Sequence, residues 1–256
     1  MKKDIRDCSI EELTDFCISN GMKKYVSSQI YFWLWKKSSL SIDEMTNLSL
    51  SNRTLLKKEF TINGIAIDLE EESNDGTIKS RFILHDKNLV EGVLIPQNKR
   101  MTACISSQVG CSLSCKFCAT GKIGRIRNLS AGEIYDQVIS ISNQAINKYD
   151  IPLSNIVFMG MGEPLLNYKN VIQSINYLIS EEGLNMSPRR ITLSTSGISK
   201  MIRRLADDGV KVNLALSLHA ASEEKRNAIM PIGESNSLSS LSDSLKYYFS
   251  KLKKKI

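Results

Sequence analysis

The sequence predicts an α/β fold: parallel strands joined by helical crossovers, behind a small helical amino-terminal domain. Three observations carry this. Residues 1–60 hold helix-start signals and an apolar stripe at helical spacing. Beyond residue 106, short apolar segments alternate with amphipathic ones, the rhythm of a parallel sheet with helices laid on it. The residues with distinctive chemistry fall just after the apolar segments, and ligands gather at the carboxyl ends of parallel strands.

In the helical domain, 1–60, Ser9 followed by Glu12 and Ser41 followed by Glu44 match the capping box, which satisfies the free N–H groups at a helix start. Between them Val26, Ile30, Trp33 and Leu34 share one helix face and read as packing. Cys17, one turn from Leu13, reads as a small buried hydrophobe. Cys8 is given no role.

Residues 61–105 read as a hairpin and strand connector. The pair DG at 75–76 is a hairpin turn, IAIDLEE and TIKSRFILH flank it, and NLVEGVLIP at 88–96 is a strand that Pro96 stops. In the core, 106–256, Ser130 and Glu133 open a helix from Ala131 to about Lys148. NIVFMG is then a buried strand, YKNVIQSINYLI a helix, RRITLSTSG a strand, ISKMIRRLADDG a helix ending at glycine, and KVNLALSLHA a strand. The lysine-rich ending KLKKKI is of low complexity.

At 256 residues, 42% hydrophobic, the chain can bury one large domain, or a small one beside a larger. Its formal charge of +7 suits an anionic partner such as RNA, and equally a soluble lysine-rich protein. No secretory signal follows MKKDIRD, and the strongly apolar run IYFWLW is too short to span a bilayer. The expectation is a cytoplasmic protein without a membrane partner. In a reducing compartment, clustered cysteines hold metal more often than they form disulfides.

The segment VGCSLSCKFCATG, 109–121, places Cys111, Cys115 and Cys118 on one loop. Thiolates suit zinc or iron–sulfur clusters. Structural zinc needs four closed positions, usually from two closely spaced cysteine knuckles, and no second knuckle is present. A cubane held by three cysteines leaves one iron open, which is how metal sites admit a substrate. Cys104, seven residues upstream, is a competing fourth ligand or a free buried thiol. Zinc binding stays open on spacing alone.

The spacing CxxxCxxC is the signature of the radical S-adenosylmethionine (radical-SAM) enzymes. A longer run sharpens the likeness: CISSQVGCSLSCKFCATGKIGRIRNLSAGEI, then FMGMGEPLLN, RRITLSTSG and ALSLHA, with SNDGTIK, EGVLIP and the QI–WLW helix before them. In this order the chain resembles the radical-SAM adenine carbon-2 methyltransferases that act on 23S ribosomal RNA and on tRNA. The resemblance implies a radical-SAM barrel, a 4Fe-4S cluster and S-adenosylmethionine as cofactors, 23S rRNA and tRNA as partners, and a flavodoxin- or ferredoxin-type reductant. Carbon 2 of adenine lies between two ring nitrogens and is no nucleophile, so a carbon radical must do what an electron pair cannot. As the resemblance implies, one SAM methylates a tail cysteine, and a second SAM yields the radical that abstracts hydrogen from that methyl. The new carbon radical adds to adenine, and a second cysteine releases the product, leaving a transient disulfide bond.

Position by position, Cys111, Cys115 and Cys118 match the cluster ligands, Cys104 the resolving cysteine and Glu91 the proton acceptor. Gly162 and Glu163 match the SAM-binding turn, and Ser194, Ser217, Leu218 and His219 match further SAM contacts. Lys122, Arg125, Arg127, Arg189 and Arg190 flank these loops, either as phosphate contacts or as a solvated basic face. The helical domain looks like the family's accessory RNA-binding domain.

The resemblance departs at the carboxyl end. The family pattern continues with two more strands, another SAM-contacting asparagine and a tail with the methyl-carrying cysteine, whereas no cysteine here follows Cys118. The expectation is a partial barrel, incomplete at the carboxyl terminus, that binds cluster and SAM without methylating adenine. Two other readings are the sister carbon-8 adenine methyltransferase and a non-catalytic iron–sulfur or RNA-binding remnant.

Overall fold

Seven strands form the central sheet of the structure, a computed structural model that describes residues 2–253. Before them lie β1 (Lys3–Asp4), α1 (Ile10–Ser19), α2 (Tyr25–Trp35), α3 (Leu50–Glu59) and β2 (Phe60–Thr61), which pairs in parallel with β1. Ser9 caps α1 as expected: its hydroxyl accepts from the Glu12 N–H at 3.1 Å, and the Glu12 carboxylate accepts from the Ser9 N–H at 2.9 Å. The second capping box does not form. Ser41 opens only a 3-10 turn, Ile42–Glu44, in which the Glu44 N–H is consumed by the Ser41 carbonyl. The Ser41 hydroxyl takes the Asp43 N–H instead, and the Glu44 carboxylate turns to the Ser39 hydroxyl at 2.7 Å.

On α2, Val26, Ile30 and Leu34 are buried, but the two tryptophans differ from the expectation. Trp33 is half-buried and donates its indole N–H to Asn47 at 2.5 Å. Trp35 is the buried one, stacked on Tyr177 at 3.5 Å between ring centroids and edge-on to Tyr135 at 5.2 Å. The helix is packed on two sides, so its apolar face is wider than a single stripe.

The sheet begins with β3 (Ala66–Glu72), β4 (Ile78–Ile83), β5 (Leu89–Gln97) and β6 (Arg100–Cys104), each antiparallel to the last. Gly76, at φ +83°, makes the expected turn between β3 and β4. Pro96 does not stop β5. It pairs with Met101 one residue before the strand ends, where a missing donor costs the ladder little. A short antiparallel pair follows, β7 (Gln108–Val109) and β8 (Arg127–Asn128). Then come α4 (Ala131–Tyr149), β9 (Asn155–Phe158), α5 (Tyr168–Ile179), β10 (Ile191–Thr195), α6 (Ser199–Asp207), β11 (Asn213–Leu216), α7 (Glu223–Ile229) and α8 (Leu238–Leu252).

The strand order is β11-β10-β9-β6-β5-β4-β3, with β6, β9, β10 and β11 mutually parallel. The hairpin strands and the core strands therefore share one open sheet, and no closed barrel forms among the described residues. Ile156 and Phe158, Ile191 and Leu193, and Leu214 are buried on one face, while Thr192, Ser194 and Ala215 alternate onto the other, half-exposed. That alternation leaves a polar face beside the carboxyl ends of the strands.

Helices α7 and α8 go beyond the sequence expectations, although Ser222 and Ser237 cap them. Of the lysine-rich ending, Lys254–Ile256 lie outside the described residues. Among the described residues no helix is long and apolar enough to cross a membrane.

One buried ionic cluster ties the amino-terminal segment to α4. Arg6 holds both carboxylate oxygens of Asp136 at 2.8 and 2.7 Å, reaches Asp4 at 3.3 Å, and donates to the Asn63 carbonyl at 2.8 Å. Gly132 makes the seat: a Cβ there would lie 2.8 Å from the Arg6 guanidinium carbon. Asp136 is one residue before Gln137, whose amide holds the chain just after β6, so the same helix grips both units.

Candidate active site at the carboxyl edge of the sheet

The three cysteines sit on a long loop whose base is closed by β7 and β8. Gly110 permits the closure: at φ +72° it passes so near Gly124 that an added Cβ would lie 1.7 Å from that carbonyl oxygen. Within the loop Cys111 and Cys115 are buried and Cys118 is half-buried. Their floor is apolar, made by Leu113 and by Met230 from the segment after α7. The Lys116 N–H also donates to the Ile229 carbonyl at 2.9 Å, so α7 and the cysteine loop are joined through backbone as well.

Residues 106–108, SSQ, stitch this loop to the turn after β9. The Ser106 hydroxyl donates to the Glu91 carbonyl at 2.6 Å and accepts from the Met161 N–H at 2.8 Å. The Gln108 amide oxygen accepts from the Glu163 N–H at 2.9 Å, and its NH2 donates to Asn128 at 2.8 Å. Asn167 donates at 2.8 Å to both the Ser107 and Leu129 carbonyls. The sequence reading assigned none of these residues. Their signal was a polar run inside an apolar context, which marks buried hydrogen-bonding groups that need partners.

Gly162 sits at φ +95°, with its α-carbon pressed on Gln108. A Cβ there would lie 2.5 Å from the Gln108 Cβ and 2.8 Å from its backbone nitrogen. Gly162→Ala is therefore expected to destabilise the protein by more than about 1 kcal/mol, read by urea denaturation. Gly209→Ala, also at positive φ but with open space around it, isolates the cost of backbone strain alone.

Glu163 is buried, and its carboxylate bridges two loops. One oxygen accepts from the Leu165 N–H at 3.1 Å and the other from the Ser196 N–H at 2.7 Å. Burial pushes its carboxyl above the ordinary value, against the pull of the Ser196, Thr195 and Leu165 hydrogen bonds. The Ser194 and Ser217 hydroxyls lie 3.3 Å apart across β10 and β11. His219 takes the left-handed conformation, φ +58°, and lays its ring 4.3 Å from that of Phe117, between centroids.

These groups enclose one cavity of about 410 Å³, within the range of small-molecule sites. Cys111, Cys115 and Cys118 line it together with Glu163, Ser194, Ser217 and His219. The loops after β6, β9, β10 and β11 thus meet as strand-end placement predicted.

Three predicted residues stand apart from that cavity. Leu218 is exposed and does not line it. Cys104 is half-buried at the end of β6, where its thiol hydrogen-bonds with the Met159 backbone, and burial pushes that thiol up. Glu91 is exposed on β5, 3.6 Å from the Lys79 ammonium. Val93 pairs with Cys104, so Glu91, two residues before Val93, faces the same side of the sheet as Cys104. Of the flanking cations, Arg127 is tied to Asp86 at 2.6 Å and to both oxygens of Glu133 at 2.8 Å, which makes it a loop anchor.

The thiols fit a cluster better than a single ion. Among the described residues, no three His, Cys, Asp or Glu side chains converge on a point that could hold one metal ion. Zinc would need donors about 2.3 Å from one centre, and Cys104 is not there to complete four. A polymetal cluster takes one thiolate per corner and needs the sulfurs spread around a cavity, as they are here. All six cysteines are free thiols.

Known sequences resolve the kinship. Residues 105–248 match the model of the radical SAM superfamily, and residues 3–62 match that of the ribosomal RNA large subunit methyltransferase N-terminal domain. The chain is 59% identical over 247 residues to a probable dual-specificity RNA methyltransferase RlmN of Cytophaga hutchinsonii, covering 96% of this chain and 68% of that protein. This chain belongs to the RlmN family of radical SAM proteins. An RlmN relative from Thermotoga neapolitana is 43% identical over 255 residues, covering 99% of this chain and 73% of the relative. The crystal structure of a radical SAM methyltransferase from Sphaerobacter thermophilus superposes with a TM-score of 0.90 at 35% identity, covering 99% of this chain and 74% of that one. Membership in the RlmN family brings a 4Fe-4S cluster and S-adenosylmethionine as cofactors.

Proposed function

We propose that this chain carries the catalytic core of an RNA methyltransferase that modifies carbon 2 of adenine in 23S rRNA and tRNA. The observation that supports this best is the shared cavity, lined by the three thiols and by Glu163, Ser194, Ser217 and His219. Cys111, Cys115 and Cys118 would hold the 4Fe-4S cluster. Gly162 keeps the turn after β9 close to the cysteine loop, Glu163 holds that turn to β10, and the two serine hydroxyls offer hydrogen bonds to a nucleoside cofactor. When bound, the cluster supplies the electron that cleaves SAM and makes carbon-radical chemistry available.

Cys104 and Glu91 face one side of the sheet beside this cavity rather than within it, and that face is where the adenine would lie. There Glu91 would take a proton and Cys104 would resolve the crosslink through a transient disulfide. We assign residues 1–60 to an accessory RNA-contacting domain, 61–105 to a strand connector and 106–256 to the radical-SAM core. Lys122, Arg125, Arg189 and Arg190 remain as phosphate contacts, and a flavodoxin- or ferredoxin-type protein as reductant.

None of the six cysteines follows Cys118, so the methyl carrier this scheme requires is not among these 256 residues. Anaerobically reconstituted residues 1–256 are expected to be brown, to contain iron and sulfide, and to leave adenine unmethylated. Joined to the family's remaining strands and tail, the same residues are expected to yield 2-methyladenosine, detected by mass spectrometry of digested RNA. Finding 8-methyladenosine, or zinc without iron, overturns the reading.

A further inference from the structure

Arg226, on α7, is completely buried, and among the described residues it forms no ion pair. Its guanidinium donates only to neutral carbonyls, Ser196 at 2.7 Å and Asn236 at 3.2 Å, and its Nε has no partner. Glu223 is within electrostatic reach on the same helix, but its carboxylate accepts from the Leu238 N–H at 2.6 Å. A cation fully removed from water without a counter-charge is costly, and such residues are almost never retained unpaired.

The missing negative charge has an evident source. Met230, four residues on from Arg226, is packed against Cys111 and Cys115. The next residue back, Ile229, receives the Lys116 N–H. Cys115 is itself within electrostatic reach of the guanidinium. Arg226 is therefore a buried cation within electrostatic reach of the cysteine loop, carried by the helix whose end packs on that loop. Three thiolates around an iron–sulfur core make an anion, and reduction adds a further negative charge.

We propose that Arg226 is the counter-cation of the three-thiolate cluster: a positioning residue that stabilises its reduced state and so raises its reduction potential. This rests on the reading that Cys111, Cys115 and Cys118 hold that cluster. It also explains why the arginine spans two carbonyls. Ser196 follows β10 and Asn236 holds the Ser199 N–H at 2.9 Å, so the guanidinium is fixed by the same loops that shape the cavity.

The test uses anaerobically reconstituted residues 1–256. In wild-type protein labelled with ¹⁵N-arginine, pulsed EPR of the reduced cluster is expected to show a weak ¹⁵N coupling that depends on residue 226, because no arginine lines the cavity and the Arg226 guanidinium is within electrostatic reach of Cys115. Arg226→Lys is expected to lose that coupling and to keep a potential near that of wild type. Arg226→Gln is expected to lower the potential by about 59 mV, a tenfold change in a one-electron equilibrium. A merely structural arginine would leave the potential unchanged in any variant that still binds four irons. Brown wild-type protein without ¹⁵N coupling overturns the assignment even if neither variant folds. If wild-type protein takes up no iron, the cluster reading itself fails and the assignment falls with it.

Discussion

Cys115→Ser is expected to abolish the cluster. After anaerobic reconstitution with iron and sulfide, the variant should be colourless, hold no stoichiometric iron and fail to cleave SAM. Three thiols line the cavity and none of the other three cysteines lines it, so nothing can replace a lost ligand. A serine oxygen is a harder donor than thiolate and binds iron–sulfur cores poorly. The loss should exceed the roughly 10–100-fold that removing an outer hydrogen-bond partner costs a metal site. Cys8→Ala is the control: Cys8 does not line the cavity that the three loop thiols share, and its loss should leave iron content unchanged. A Cys115→Ser protein with full iron would show that these thiols are not the ligands.

The second large effect concerns folding. Asp136→Ala is expected to destabilise the protein by about 3–5 kcal/mol, because it leaves Arg6 buried without its main counter-charge. Asp4 remains at 3.3 Å, a longer and less favourable contact, and Arg6 already has an unpartnered Nε. Asp136 lies on α4 next to Gln137, which fixes the chain after β6 with hydrogen bonds of 2.9 and 3.2 Å to Ser106. Urea denaturation followed by circular dichroism reads the stability. Replacing Asp4, Arg6 and Asp136 together with apolar residues should cost much less, since no charge is then stranded. A loss below about 1 kcal/mol for Asp136→Ala alone would mean that water reaches Arg6.

Much of this protein is legible in its sequence. Local rules sufficed where partners lie within one turn. Ser9 with Glu12 and Ser130 with Glu133 cap their helices as written, and the segment YKNVIQSINYLI is α5 residue for residue. Where a local rule met a competing bond it failed: the Glu44 N–H went to a backbone carbonyl, and no box formed. Trp33 packs only in part, and Trp35, to which no role was given, is the buried one, because what decides it is the aromatic pair Tyr135 and Tyr177, a hundred residues or more away in the chain.

The sequence by itself determined that three thiols share one neighbourhood, since three cysteines within eight residues of one loop cannot be far apart however the rest folds. It also determined the order of the main strands and helices from β3 to β11, because hydrophobic periodicity is a property of neighbouring residues. Only the tertiary structure decided that Glu163 spends its oxygens on two loops, that Leu218, Cys104 and Glu91 stand outside the cysteine cavity, and that Arg226 is buried with no ion pair among the described residues. These outcomes depend on contacts between distant segments, and on where water is excluded. Neither burial nor an unsatisfied charge exists until the chain has closed on itself.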